Sequence, residues 1–223
     1  MAKRVIRVTG KGQIKVKPDM TRITITLDGV QPEYADALEC SAADTEILKD
    51  LMEDMGFKRK DVKTLSFNVD TENESYRDKD GNWKSKFVGY RYDHIVKVEF
   101  PSDNKRLGRI LYALANNEAL TPDFRFSFFV KDVEGSKNEL LGKAVTDAKA
   151  KAEVLTKAAG VALQEIISID YSWGEIDFEY RPMKNSILAE ECSLADLSRS
   201  YNIDIEPDDI EISDTVTVVW RIG

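Results

Sequence analysis

Few residues in this chain of 223 have the types and spacing that chemistry requires. His94 is the only histidine, so multi-histidine metal sites are excluded and any hydroxyl–imidazole–carboxylate triad would have to pass through it. It alternates with Tyr90, Tyr92, Val96, Val98 and Phe100 on one strand face, which predicts a packed or interface histidine rather than a catalytic base. Gly10-Lys11-Gly12 has neither a third glycine nor a following helix, so it is not a dinucleotide-binding turn. No phosphate loop ending in Gly-Lys-Ser/Thr is present. Cys40 and Cys192 stand in no paired metal spacing and read as two isolated thiols. These patterns predict no catalytic residue, no cofactor and a non-enzymatic protein.

The one dense constellation is acidic: Asp204, Glu206, Asp208, Asp209, Glu211 and Asp214. Hard cations take several carboxylate oxygens, so Asp204, Glu206, Asp208 and Asp209 are weak candidates for a calcium or magnesium site. The spacing lacks the loop glycine and terminal glutamate of an EF-hand, and a solvated acidic loop is the simpler reading. A metal-dependent hydrolase built on 204–214 is the enzymatic alternative. Residues 173–214 hold twelve acids against three bases, a local charge of −9 within a total of −8. No basic stripe is left to release counterions from phosphate, which argues against a nucleic-acid partner. No run approaches the roughly 18 apolar residues of a membrane span, so no transmembrane segment is expected.

The elements that would position these residues repeat. Shifted by 104, Pro18-Asp19 falls on Pro122-Asp123, Gly56 on Gly160 and Asp61-Val62 on Glu165-Ile166. Each copy reads as strand, helix, strand, strand. Val5 to Thr9 and Gln13 to Val16 around Gly10-Lys11-Gly12 predict an additional N-terminal hairpin. Tyr34, Leu38, Ser41, Thr45, Leu48, Met52 and Met55 form one face of a helix closed by Gly56. Val62 to Tyr76 and Val88 to Phe100 are long strands joined through Asp80-Gly81. Ser102 opens a short helix whose inner stripe is Leu107, Ile110, Leu111 and Leu114. In the second copy a helix from about Ser136 carries Leu141, Ala144, Ala148, Ala152, Leu155 and Ala159, and Thr215 to Ile222 answers Asp93 to Phe100 at an offset of 122. The difference of 18 from the offset of 104 marks an insertion inside the acidic stretch.

The fold class is therefore α+β: duplicated β-α-β-β units, mainly antiparallel sheet with helices on one face. The expected division is 1–101 for the hairpin and first repeat, 102–121 for a connecting helix and 122–223 for the second repeat. Trp173 to Asp209 is expected to be the first stretch cut by protease. Trp83, with Tyr76 and Phe87 near the hairpin tip, and Tyr90 and Tyr92 along its strand are the candidate interaction residues. The row Tyr90, Tyr92, Val96, Val98 must be covered, either by a second subunit or by the N-terminal hairpin. A homo-oligomer is expected, with a regulatory adaptor for a protein partner as alternative.

Three separated stretches carry a family resemblance: Val8 through Asp19, Ala144 through Ala152 running on to Gly160, and Ile205-Glu206-Pro207 before Ile210 to Val218. Together they resemble the SIMPL domain family over nearly the whole chain. The resemblance implies an α+β fold, homo-oligomeric assembly, and stress protection or signalling, with no established catalytic residues. Its members include periplasmic and outer-membrane-associated bacterial proteins. Met1 to Thr9 alternates as a strand and shows no export series, so the sequence reads as cytoplasmic, or periplasmic if a leader has been removed. Asp208 stands where relatives place glycine, which implies a differently built turn.

Overall fold

The computed structural model describes residues 4–117, 119–120, 122–171, 178–180 and 205–223. Its elements are β1 (Val5–Val16), β2 (Met20–Gln31), α1 (Tyr34–Asp54), a 3-10 turn (Arg59–Asp61), β3 (Lys63–Arg77), β4 (Trp83–Pro101), α2 (Asn104–Ala115), β5 (Asp123–Phe129), α3 (Val133–Ala159), β6 (Leu163–Asp170), β7 (Glu179–Tyr180) and β8 (Ile210–Ile222). The chain is α+β with antiparallel sheets.

The described residues divide into two compact units that are not contiguous in sequence: 4–19 with 129–171, 178–180 and 207–223, and 20–117, 119–120 and 122–128 with 205–206. The expected boundaries at 101 and 121 are thus replaced, because β1 groups with the second half of the chain.

In the first unit the strands run β1-β8-β6, and α3 lies across β1 and β8. No N-terminal hairpin forms. β1 passes straight through Gly10-Lys11-Gly12 and pairs with β8 from Val5↔Arg221 to Val16↔Ile210. Neither glycine has a positive φ; their role is clearance. A Cβ at Gly10 would collide with the Ala144 carbonyl and come within 2.7 Å of the Ala148 Cβ, and one at Gly12 would collide with the Leu140 carbonyl. The helix offers Leu140, Ala144, Ala148, Ala152 and Thr156 as its buried row, so small residues on both sides let backbone approach backbone. That row is turned slightly from the predicted one, leaving Leu155 exposed. Asp132 Oδ1 accepts from the Gly135 N–H at 2.8 Å to start α3, and Gly160 ends it at φ 66°.

In the second unit β3, β4, β2 and β5 lie side by side in that order, and α1 covers β2 and β4. The connection of this layout to the first unit is visible in strand order: β2-β4-β3 with α1 has the same plan as β1-β8-β6 with α3. β1, rather than β5, takes the place beside β8 that β2 takes beside β4. The buried row of β4 is Tyr92, His94, Val96, Val98 and Phe100, and that of β8 includes Ile212, Val216, Val218 and Trp220. The offset of 122 carries His94, Val96 and Val98 onto Val216, Val218 and Trp220, so the two buried rows correspond as the sequence alignment of the strands requires.

The β3–β4 turn is the Asp-Gly turn expected. Gly81 has φ 83°, and Asp78 Oδ1 accepts the Asp80 and Asn82 N–H groups, each at 2.9 Å. Its bond to Lys84, followed by the Asn82 N–H, holds the Asp78 carboxyl below the usual range. The cap of α2 is Asp103, whose Oδ1 accepts the Arg106 N–H at 3.0 Å, one residue after the predicted Ser102. Leu107, Ile110, Leu111 and Leu114 are buried as the periodicity requires. On α1 the buried residues are Ala37, Ser41, Thr45, Leu48 and Met52, while Tyr34 and Leu38 are exposed.

Candidate functional site

The polar core of the second unit is built around His94. The imidazole sits in the buried row of β4, opposite Leu27 of β2 and Phe67 of β3, and only 9% of it is exposed. α1 crosses above and supplies Thr45; β3 supplies Thr64. A bulge makes the second contribution possible. Thr64 pairs with Val96, but Ser66 pairs with Ile95 and Phe67 with His94, so Leu65 is an extra residue. Because of that insertion Thr64 and Phe67, three apart, both face His94, which strict alternation forbids.

The hydrogen bonds fix the tautomer. Thr45 Oγ1 donates its hydrogen to the Ser41 carbonyl at 2.7 Å, so toward His94 it accepts. The imidazole therefore carries its hydrogen on Nδ1 and donates it to Thr45 over 2.9 Å. Nε2 keeps its lone pair and accepts from the Thr64 hydroxyl over 2.8 Å. The Phe67 ring meets the imidazole edge-on, centroids 5.3 Å apart. Leu38, Ser41, Ala42, Thr45, Glu46 and Lys49 of α1, with Thr64, Phe67 and His94, line an open cleft of about 430 Å³. The Lys49 ammonium is held by Glu46 at 2.9 Å, and Glu46 also pairs with Arg59.

Burial, and then the Lys49 charge, push the His94 pKa below its ordinary 6.5. A depressed folded value means that the unfolded chain takes up the proton first as pH falls. Stability from this group is complete above 6.5 and is lost as pH drops from there toward the folded value. Urea unfolding at about pH 7 and about pH 5 is expected to show a loss that His94→Gln reduces. An equal pH slope in both proteins would refute the buried neutral histidine.

The predicted interaction residues are placed very differently. Trp83 is 68% exposed, with the Arg77 guanidinium 4.8 Å from its ring centroid. Tyr90 is half-buried between Tyr34 and Phe87, at centroid distances of 5.6 and 5.4 Å. Tyr92 is 4% exposed, stacked over Gly29 and donating its hydroxyl to Asp44 of α1. Burial first, and the Asp44 carboxylate second, raise its pKa far above the usual value. The row Tyr92, Val96 and Val98 therefore faces the chain's own helix α1. Neither a second subunit nor a hairpin covers it, and Tyr92 is unavailable to a partner.

The larger match is that of the chain itself. A family model, SIMPL, described as a protein of unknown function (DUF541), matches residues 6–220. The chain belongs to the SIMPL family. No curated protein matches it.

Within this SIMPL fold the described residues of the acidic segment bring together no metal centre. Asp204 lies outside the described residues, as does most of 173–209, where proteolysis was expected. Glu206, Asp208 and Asp209 are exposed, Asp208 Oδ1 accepts the Asp209 N–H at 2.8 Å, and Lys15 pairs with Glu211. Lys15 has its pKa raised by that bond, with smaller contributions from Asp208 and Asp209. Among the described residues no three His, Cys, Asp or Glu side chains cluster as a metal site, and no helix is long and apolar enough to cross a membrane. Thr64 and Lys49 were absent from the sequence reading of the site. The α1 periodicity did mark Ser41 and Thr45, but as core.

Proposed function

We propose that the chain works as a self-assembling binding protein whose copies join through an open sheet edge. The observation that supports this is β6. Among the described residues it is the terminal strand of the order β1-β8-β6, and it exposes Ile166, Ile167 and Ile169 to 51, 47 and 45%. An edge strand with free backbone groups and aliphatic side chains is a template for another strand. Full burial of an isoleucine is worth about 1.5–3 kcal/mol, and roughly half of that remains to be gained at each of these. Glu165, the charge immediately before Ile166, is already paired with Arg221 at 2.7 Å. β3, the corresponding edge of the other sheet, carries Lys63, Asp70, Glu72 and Glu74, and such charges discourage pairing.

The occupant that this edge suits is β6 of a second copy. Light scattering coupled to size exclusion is expected to give a mass of two or more chains. The double variant Ile167→Lys, Ile169→Lys should give single chains with its helical signal unchanged. A native mass of one chain at all concentrations would end the proposal. A protein partner at the β3–β4 tip is the second reading, supported by the exposed Trp83. If the two surfaces act separately, Trp83→Ala leaves the assembled mass unchanged.

A further inference from the structure

Self-assembly asks nothing of the cleft over His94, yet that cleft holds a hydroxyl, an imidazole and an orienting group in hydrogen-bonded sequence. We infer that Thr64 and His94 form a nucleophile and base pair that takes acyl groups from small activated esters and passes them to water. The connectivity carries the inference. Thr64 Oγ1 donates to His94 Nε2 at 2.8 Å, His94 Nδ1 donates to Thr45 at 2.9 Å, and Thr45 donates to the Ser41 carbonyl at 2.7 Å. Nucleophile, base and orienter in such a chain are the mark of nucleophilic catalysis. Thr45 is the positioning residue: it fixes the tautomer that leaves the Nε2 lone pair on Thr64.

Access and surroundings agree with this role. Thr64 is exposed while His94 is buried, so the hydroxyl can be reached and the base is shielded. The Leu65 bulge turns Thr64 toward the imidazole. The cleft of about 430 Å³ falls in the range of small-molecule sites. Leu38, Ala42 and Phe67 line it with apolar surface for a short acyl chain, and the Lys49–Glu46 ion pair stands on the same wall.

In the first step Thr64 Oγ1 bonds to the ester carbonyl carbon while its hydrogen passes to His94 Nε2. The bond from that carbon to the alcohol oxygen then breaks, and Nε2–H returns the proton to the leaving oxygen. Water attacks the Thr64 ester in the second step, giving its proton to Nε2. The carboxylic acid departs and Thr64 regains its hydrogen. Only ester and water are consumed. A hydroxyl stabilises the imidazolium less than a carboxylate does, so turnover is expected only with good leaving groups such as p-nitrophenolate.

The test is incubation of the full chain with p-nitrophenyl acetate at about pH 8, where the imidazole is neutral, reading p-nitrophenolate release and the mass of the peptide containing Thr64. One acetyl group on Thr64 is expected, with release roughly a hundredfold above that of Thr64→Ala. Thr64→Ser should keep the label, and Cys40→Ser should change nothing. Thr45→Val should slow release and move the midpoint of its pH profile, which loss of packing alone would not do. Acetyl found only on lysines or on Cys40, or a Thr64→Ala variant that retains its circular dichroism and releases p-nitrophenolate at the native rate, would overturn the inference.

Discussion

Gly10→Val is expected to unfold the sheet of β1, β8 and β6. The added Cβ would strike the Ala144 carbonyl oxygen and sit against Ala148, and backbone in a helix cannot swing aside as a side chain can. α3 would have to lift from β1, opening the cluster of Val8, Ala148, Ala152, Val216, Val218 and Trp220. Overpacking typically costs 1–3 kcal/mol, and a collision with backbone puts this one at about 3 kcal/mol or more. Lys11→Ala should cost almost nothing by comparison. Its side chain is exposed, and the contact it makes with α3, a bond from its backbone N–H to Asp147 Oδ2 at 2.7 Å, survives the substitution. Urea unfolding followed by circular dichroism checks both. A Gly10→Val midpoint equal to the native one would mean that α3 does not sit this close to β1.

Gly10 and Gly12 also show why part of the fold was hidden in the sequence. Two glycines between short apolar runs predict a turn because glycine supplies positive φ at no cost, but glycine serves equally where two backbones meet. The partner that decides between these readings, the alanine row of α3, is more than a hundred residues away. Local patterns succeeded where the deciding contact was local. Gly56 and Gly160 end their helices at φ 82° and 66°, Gly81 makes the β3–β4 turn, and the stripe of α2 faces inward as its period demands. The α1 and α3 faces were off only at residues such as Leu38 and Leu155, where the neighbouring sheet, not the helix period, sets the angle.

The candidate site was legible only in part for the same reason. His94 could be picked out as the only histidine and Thr45 as part of a helix face. Thr64 could not, since alternation back from Phe67 points it away from His94 until Leu65 is counted as a bulge. A bulge depends on how two strands pair, and nothing in 63–67 announces it. The tautomer is more remote still, resting on Thr45 donating to the Ser41 carbonyl within α1.

Tyr92→Asp now has a different expected outcome from the one its place in the sequence suggested. An exposed row at Tyr90, Tyr92, Val96 and Val98 would let this change break an oligomer into folded monomers. The buried Tyr92 instead loses its whole ring from beneath α1, which costs on the order of 3–5 kcal/mol, and a carboxylate takes its place beside Asp44 and Asp28, whose charges already disfavour ionisation there. An unpaired buried charge adds several kcal/mol more, so the second unit is expected to lose its helical signal along with any assembly. Tyr92→Phe separates ring from hydroxyl: it keeps the packing over Gly29, removes the bond to Asp44, and should cost about 1–2 kcal/mol with the assembled mass unchanged. Circular dichroism and light scattering on the two variants decide the matter. Folded monomers from Tyr92→Asp would return this side chain to the surface and α1 to another position, whereas a lost fold beside a folded Tyr92→Phe places Tyr92 in the core.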